Sequence, residues 1–332
     1  MKNYKIMIES SGLAHLQEAE MPELKPNQVL IRNHFTAVSA GTERAWSLHM
    51  PNTHTVFPYM PGYSGAGEVV KIGSEVTDVK VGERVVVNWA GHQLFSVKDQ
   101  NLVRIPESID MKEAAFTHIA SFSINGVRKL HLELGESVMI AGQGILGVFA
   151  LQAAALCGAV PLLVSDFSPE RRAAAEKIGA DHALDPGDEH YMDRIRELTD
   201  GKGVNAVVEV TGSAVALKQA LEYIAWEGRI ALLGCTRISD VPIDFYRFVH
   251  GRGVQLLGAH TRSRAQYESA PYHWTEQDDY RAFLQLLERG KFKVEPIISG
   301  VYSPEQANHV YQTLAENRNP PLGLVFDWTK LA

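Results

Sequence analysis

The stretch Val138-Met139-Ile140-Ala141-Gly142-Gln143-Gly144-Ile145-Leu146-Gly147 carries the clearest chemistry in the chain. An apolar run enters a Gly-x-Gly-x-x-Gly turn, an alanine-rich helical pattern from Val148 to Leu156 leaves it, and the next apolar run ends at Asp166. An acid about 20 residues beyond such a turn completes the fingerprint of a dinucleotide-binding β-α-β unit. Glycines let the backbone turn tightly and approach a pyrophosphate, and the helix start offers free N–H groups and partial positive charge. Gly142, Gly144, Ile145, Leu146 and Gly147 are therefore expected at the phosphates. A carboxylate at Asp166 accepts hydrogen bonds from both ribose hydroxyls and repels a 2′-phosphate, which favours NAD over NADP. Arg171 either stacks on the adenine or, like Arg172 beside it, is solvated on the helix after Pro169. Thr211, Gly212 and Gly234 end later apolar runs and would lie along the same cofactor.

The elements that must position these residues fall into two patterns. Up to about residue 105, short apolar runs alternate with clusters of Pro, Gly and Asn: Val29–Phe35, Gly67–Gly73 and Arg84–Val87. This reads as a small barrel. Asp110 with Glu113 then forms a capping-box pattern that opens a helix. From Ser137 to Gly258, strands alternate with helices: Val138–Ala141, Pro161–Ser165, Ala206–Val210, Arg229–Gly234 and Val254–Gly258, with Ser168-Pro169 starting the helix after the second. That alternation predicts a doubly wound parallel sheet, an α/β domain. A helix over Asp278–Leu287 follows, its Phe283, Leu284, Leu286 and Leu287 read as core. A second capping box at Ser303-Pro304-Glu305-Gln306 precedes a closing strand, Leu322–Phe326.

Composition excludes several classes. The chain has 332 residues, 45% hydrophobic and 21% charged, with a net charge of −7. No basic stripe marks a nucleic-acid partner. No apolar run approaches the roughly 20 residues that span a bilayer, and Met1-Lys2-Asn3-Tyr4-Lys5 lacks the apolar stretch of a signal peptide. A cytoplasmic location is expected. Cys157 and Cys235 match no metal or redox spacing and are expected as small buried hydrophobes. His49, His54 and His273 are expected at the surface.

Several further segments together resemble the medium-chain dehydrogenase/reductase superfamily over nearly the whole chain. Ser39-Ala40-Gly41-Thr42-Glu43 stands where zinc alcohol dehydrogenases have Cys-Gly-Thr/Ser-Asp. Pro61-Gly62-Tyr63-Ser64-Gly65-Ala66-Gly67-Glu68-Val69 stands where they have Pro-Gly-His-Glu-x-x-Gly-x-Val. Val81-Gly82-Glu83-Arg84-Val85, Glu209-Val210-Thr211-Gly212 and Gly228-Arg229-Ile230 match later landmarks. The resemblance implies a GroES-like β-barrel catalytic domain, residues 1–120 and 263–332, and a Rossmann domain, residues 121–262. It also implies a homodimer or homotetramer. The departures are chemical. The zinc ligand positions hold Ala40, Tyr63 and His118, and the cysteine-rich structural-zinc lobe is absent, with Asn88-Trp89-Ala90-Gly91-His92-Gln93 in its place. The chain thus resembles a branch without catalytic or structural zinc. The Ser-Ala-Gly-Thr-Glu segment and Glu113-Ala114-Ala115-Phe116-Thr117 also look like the front half of bacterial bi-domain oxidoreductases.

With no metal ligand set, the resemblance leaves Thr42, Tyr63 and His118 as catalytic candidates and Glu43, Trp89 and His92 as substrate-binding ones. Thr42 would hydrogen-bond the substrate oxygen. Histidine titrates near working pH, and a tyrosine hydroxyl can donate to a carbonyl oxygen. Plainer roles stand beside each: a turn cap for Thr42, a barrel-wall aromatic for Tyr63, a satisfied helix histidine for His118. The expected activity is NAD(H)-dependent oxidation or reduction of an alcohol, polyol or sugar without zinc. An NADPH-dependent quinone or enone reductase and a cofactor-binding protein without turnover are the alternatives.

Overall fold

The strand Gln28–Val38 organises the first part of the computed structural model, which describes residues 2–99, 101–317 and 319–331. It pairs antiparallel with Ser64–Ile72, Phe95–Asp99 and the closing strand Gly323–Asp327. Arg84–Asn88 and Ile298–Tyr302 extend this sheet at its two ends. Val29, Ile31, Val69, Val85 and Val87 form one apolar cluster. Ile6, Ile8, Phe95, Tyr311, Phe326 and Trp328 belong to another. β-Branched residues suit such pleated, buried surfaces. Contacts divide the chain into residues 1–119 with 280–332, and residues 120–279. Residues 263–279 therefore lie in the second unit, whereas the sequence reading assigned them to the first.

The second unit is built on six strands in the order Gln255–Gly258, Ile224–Leu232, Val204–Glu209, Val138–Ala141, Leu162–Ser165, His182–Leu184. Every pairing is parallel. Val138–Ala141 and Leu162–Ser165 are buried at every position, which is why they read as continuous apolar runs and not as alternating ones. The strand order reverses at Val138–Ala141, and in such sheets ligands bind beyond the carboxyl ends at that point. Gly142, Asp166 and the Val210–Gly212 loop leave three neighbouring strands there.

The two capping-box expectations part company. Ser303 and Gln306 exchange both bonds. Asp110 does cap its helix, accepting from Lys112 N, but Glu113 instead accepts from Glu295 N. Both cysteines are exposed, not buried. Cys157 stands where the helix Ile145–Leu156 runs out to the surface, and Cys235 lies in the loop after Gly234. Phe283, Leu284 and Leu287 are core, as expected, and His49, His54 and His273 are exposed. The hairpin Asn3–Ser10 with Leu13–Ala19 has no counterpart in the sequence reading.

At Gly147 a Cβ would stand 2.0 Å from the carbonyl oxygen of Gly142. Gly147→Ala must push the turn off its helix. It is expected to cost about 2 kcal/mol or more of stability, read as a lower midpoint in urea; a wild-type midpoint would contradict the close approach.

Candidate active site and nucleotide groove

In the second unit, Gly142 takes φ +98°, a left-handed conformation open mainly to glycine. Gly144 caps the helix Ile145–Leu156, and a Cβ there would meet nothing within 4 Å. The turn's outer side is open where the first helical N–H groups lack intrahelical acceptors. Asp166 is half-buried, and its Oδ2 accepts from Gln143 N at 2.8 Å while Oδ1 accepts from Ser168 N at 2.9 Å. The acid therefore holds the glycine turn as well as ending the strand. Arg171 places Nη1 3.9 Å from Asp166 Oδ2, while Arg172 bonds Asp166 O at 2.7 Å and Asp185 Oδ2 at 3.0 Å. Neither arginine is simply solvated.

A pocket of about 270 Å³ follows from these residues, lined by Gly142, Asp166, Phe167, Thr211, Ser213 and Tyr223 among others. Phe167 is 70% exposed; its only sequence signal was an aromatic directly after the strand-ending acid. Beneath the Thr211–Gly212 loop lies Glu209, which accepts from Thr211 N at 2.8 Å, from the Thr211 hydroxyl and from Gly212 N at 3.2 Å. Burial pushes the Glu209 carboxyl up against these bonds, which pull it down. Gly234 packs on this loop, since a Cβ there would lie 2.3 Å from Gly212 N. An open glycine turn, a strand-ending carboxylate and a pocket at the sheet's reversal point fit an NAD(P) cofactor.

In the first unit, three rings from distant segments meet. Tyr63 precedes the strand Ser64–Ile72, Trp89 follows Arg84–Asn88, and His118 lies in the first turn of the helix Thr117–Lys129. Their centroids are 5.2 Å (Tyr63–Trp89), 5.6 Å (Tyr63–His118) and 4.8 Å (Trp89–His118) apart. Thr42, third in the helix Ala40–Ser47, is half-buried, as is Tyr63. His118 has no exposed surface, and its Nδ1 lies 2.5 Å from Tyr280 Oη. The sequence reading aimed His118 at the substrate; the structure covers it with Tyr63 and Trp89. Tyr280 was missed. It sits on a helix legible only as core, and nothing local connects it to a histidine 162 residues away.

Glu43 and His92, expected along the substrate side, form a second and wholly internal group. His92 is 0% exposed, with Nε2 3.0 Å from Glu43 Oε2 and Nδ1 2.7 Å from Thr36 Oγ1. A carboxylate only accepts, so Nε2 carries a proton. The Tyr311 hydroxyl also donates to Glu43 Oε2, Ser39 N donates to Oε1 at 2.8 Å, and Trp328 Nε1 donates to Thr36 Oγ1 at 2.9 Å. Burial alone would push the Glu43 carboxyl up. The charge and hydrogen bond of His92, with those of Tyr311 and Ser39, outweigh it and hold the carboxyl below its ordinary value of 4.5. Both side chains are fully engaged and support the site from within.

The positions that the resemblance assigns to zinc ligands hold Ala40, Tyr63 and His118. Alanine at 40 has no donor atom, a phenol at 63 is a poor zinc ligand, and one imidazole cannot complete a tetrahedral set. Among the described residues no group of three or more His, Cys, Asp or Glu could hold a metal ion.

A barrel unit carrying a polar aromatic cluster, and a parallel-sheet unit carrying a nucleotide groove, define a two-domain NAD(P)-dependent oxidoreductase. Comparison places it more closely. Residues 25–107 match the alcohol dehydrogenase GroES-like domain and residues 146–286 match the zinc-binding dehydrogenase family. The L-threonine 3-dehydrogenase of Pyrococcus horikoshii is 28% identical over 87% of this chain and 88% of that protein. The sorbitol dehydrogenase of Bacillus subtilis is 22% identical over 92% of this chain and 91% of that one. The structure of a Sinorhizobium meliloti dehydrogenase bound to NADP superposes with a TM-score of 0.84 at 20% identity, covering 98% of this chain and 99% of that one. The chain belongs to the medium-chain dehydrogenase/reductase superfamily and is an oxidoreductase of the class acting on CH–OH donors. Among the described residues no helix is long and apolar enough to cross a membrane.

Because the folded Glu43 carboxyl titrates below its ordinary value, its contribution is fully present above about pH 4.5 and is lost as pH falls through the lowered value. Glu43→Gln is therefore expected to lower the melting temperature at pH 7 and to flatten its fall below about pH 4.5. Parallel wild-type and variant curves of melting temperature against pH would contradict the pairing.

Proposed function

We propose that the protein is an NAD(H)-dependent oxidoreductase of polyols, sugars or related hydroxylated compounds that works without zinc. The observation that supports this best is that Tyr63 and His118, at two of the three positions where the resemblance puts a metal's ligands, meet each other and the Trp89 indole. When bound, the nicotinamide supplies the hydride acceptor or donor. Gly142, Gly144, Ile145, Leu146 and Gly147 would hold its pyrophosphate, and Asp166 its adenosine ribose. Asp166 is the reason for preferring NAD, since a 2′-phosphate would meet a carboxylate. Thr211, Gly212 and Phe167 would flank it, with Gly234 supporting the loop and Arg171 fixed beside Asp166.

The alkoxide that develops as hydride moves must be stabilised without a Lewis acid, which in a metal enzyme contributes several kcal/mol. Thr42 and Tyr63 are half-buried hydroxyls that can donate to that oxygen and take its proton. His118, behind Tyr63 and bonded to Tyr280, carries ring nitrogens that can accept or donate a proton. Its burial makes it a partner of the contacting hydroxyls, not the first contact.

A titration with NADH and NADPH, followed by oxidation of sugar alcohols and glycosides and reduction of quinones, tests the proposal. Tighter NADH binding with turnover of hydroxylated substrates is expected. Thr42→Ala and His118→Ala should each slow turnover by about 10²-fold or more while leaving NADH affinity within about three-fold. NADPH preference with quinone turnover, or wild-type rates in both variants, would overturn it.

A further inference from the structure

The turn between Arg84–Asn88 and Phe95–Asp99 presents an indole outward and holds it in place. Trp89 is 54% exposed. Its backbone is left-handed, with φ +50°, a strained conformation for a bulky residue. The turn is tied down on each side. Trp89 N donates to Tyr63 O at 2.9 Å and His92 N to Pro61 O at 2.7 Å. Lys98 Nζ donates to Asn88 O at 2.9 Å, and Gln93 Nε2 to Ala90 O at 2.6 Å. His92, within the turn, is fixed through Glu43 and Thr36. The indole is therefore not a loose loop tip. It lies against Tyr63 at an interplanar angle of 31° and meets His118 at 76°.

We propose that Trp89 is a stacking platform that selects cyclic polyhydroxylated substrates, a pyranose or a cyclitol, over open-chain polyols. This deepens the reading above and rests on it for Tyr63 as a hydroxyl that meets substrate. A six-membered polyol ring presents C–H groups on one face, and their positive edges match the negative face of an indole. Its hydroxyls project from the rim, toward a neighbour such as the Tyr63 phenol. An open-chain polyol has no rigid face to lay on the indole and must give up more rotational freedom to flatten against it. An aromatic alcohol could stack as well, but it offers no further hydroxyl to the polar groups around the indole. Strain and exposure at one residue are both costs to the free protein, and a ligand face that covers the indole offsets the second.

The test uses the full chain with saturating NADH. Methyl glucopyranoside, myo-inositol, sorbitol and benzyl alcohol are titrated by calorimetry into this NADH complex of wild type, Trp89→Ala and Trp89→Phe, and their oxidation is then measured with NAD+ in place of NADH. Wild type is expected to bind at least one cyclic polyol about ten-fold more tightly than sorbitol. Trp89→Ala should erase that ratio, and Trp89→Phe should keep most of it because the aromatic face remains. Circular dichroism and NADH affinity report whether the variants are folded. The inference is overturned if neither cyclic ligand binds, if benzyl alcohol is preferred to both, or if the cyclic preference survives in Trp89→Ala. Cyclic binding that depends on Trp89 without any turnover would leave the platform standing and defeat the proposed turnover of polyols and sugars; turnover with no ring preference would do the reverse.

Discussion

A carboxylate with almost no access to water, Glu43 at 3% exposure, is the constraint on which the first unit depends. A buried charge is tolerable only when it is paired and its lone pairs are used. Here one oxygen takes the Ser39 N–H and the other takes His92 and Tyr311. His92 hands the network on to Thr36, and Thr36 to the Trp328 indole. The participants come from the helix Ala40–Ser47, the strand Gln28–Val38, the turn after Arg84–Asn88, the helix Ala307–Glu316 and the segment Trp328–Lys330. Removing one partner of such a group typically costs about 3–5 kcal/mol, because the other is left charged and buried. Five parts of the chain are thereby held to one arrangement, and Thr42 and Trp89 are neighbours in sequence of its members.

The nucleotide groove depends on a similar device. Asp166 receives the N–H of Gln143 within the glycine turn, and Glu209 receives the backbone of Thr211 and Gly212. Acids that end or underlie parallel strands thus shape the loops that leave those strands. Loop shape is set before any ligand arrives, which keeps the ordering cost of binding low.

Sequence carried the second unit further than the first. A parallel sheet covered on both faces has to be written as unbroken apolar runs, so Val138–Ala141, Leu162–Ser165 and the strands on the Val204–Glu209 side were legible, as was the glycine turn, whereas the short, only partly buried edge strand His182–Leu184 was not. The closing strand returned to the first unit as expected, pairing Gly323–Asp327 with Gln28–Val38. The candidate site was legible only in part. Tyr63, Trp89 and His118 were named from their positions in a family pattern, and they do meet. What pattern could not reveal was depth: His92 and His118 are each 0% exposed, which depends on packing across the barrel. Tyr280, Tyr311, Thr36 and Trp328 escaped notice because each hydrogen bond that matters joins residues far apart in sequence, with no periodic signal to mark it. The cysteines failed for the opposite reason, since an apolar neighbourhood in sequence ended at the surface.

The proposal of side-chain acid–base chemistry in place of a metal is the part most open to direct trial. Protein purified without chelator can be assayed for zinc and for turnover on the same sample, then again after chelation and after zinc is restored. The account predicts substoichiometric zinc and a rate that neither treatment changes. Stoichiometric zinc, with a rate that disappears on chelation and returns with the metal, would contradict it.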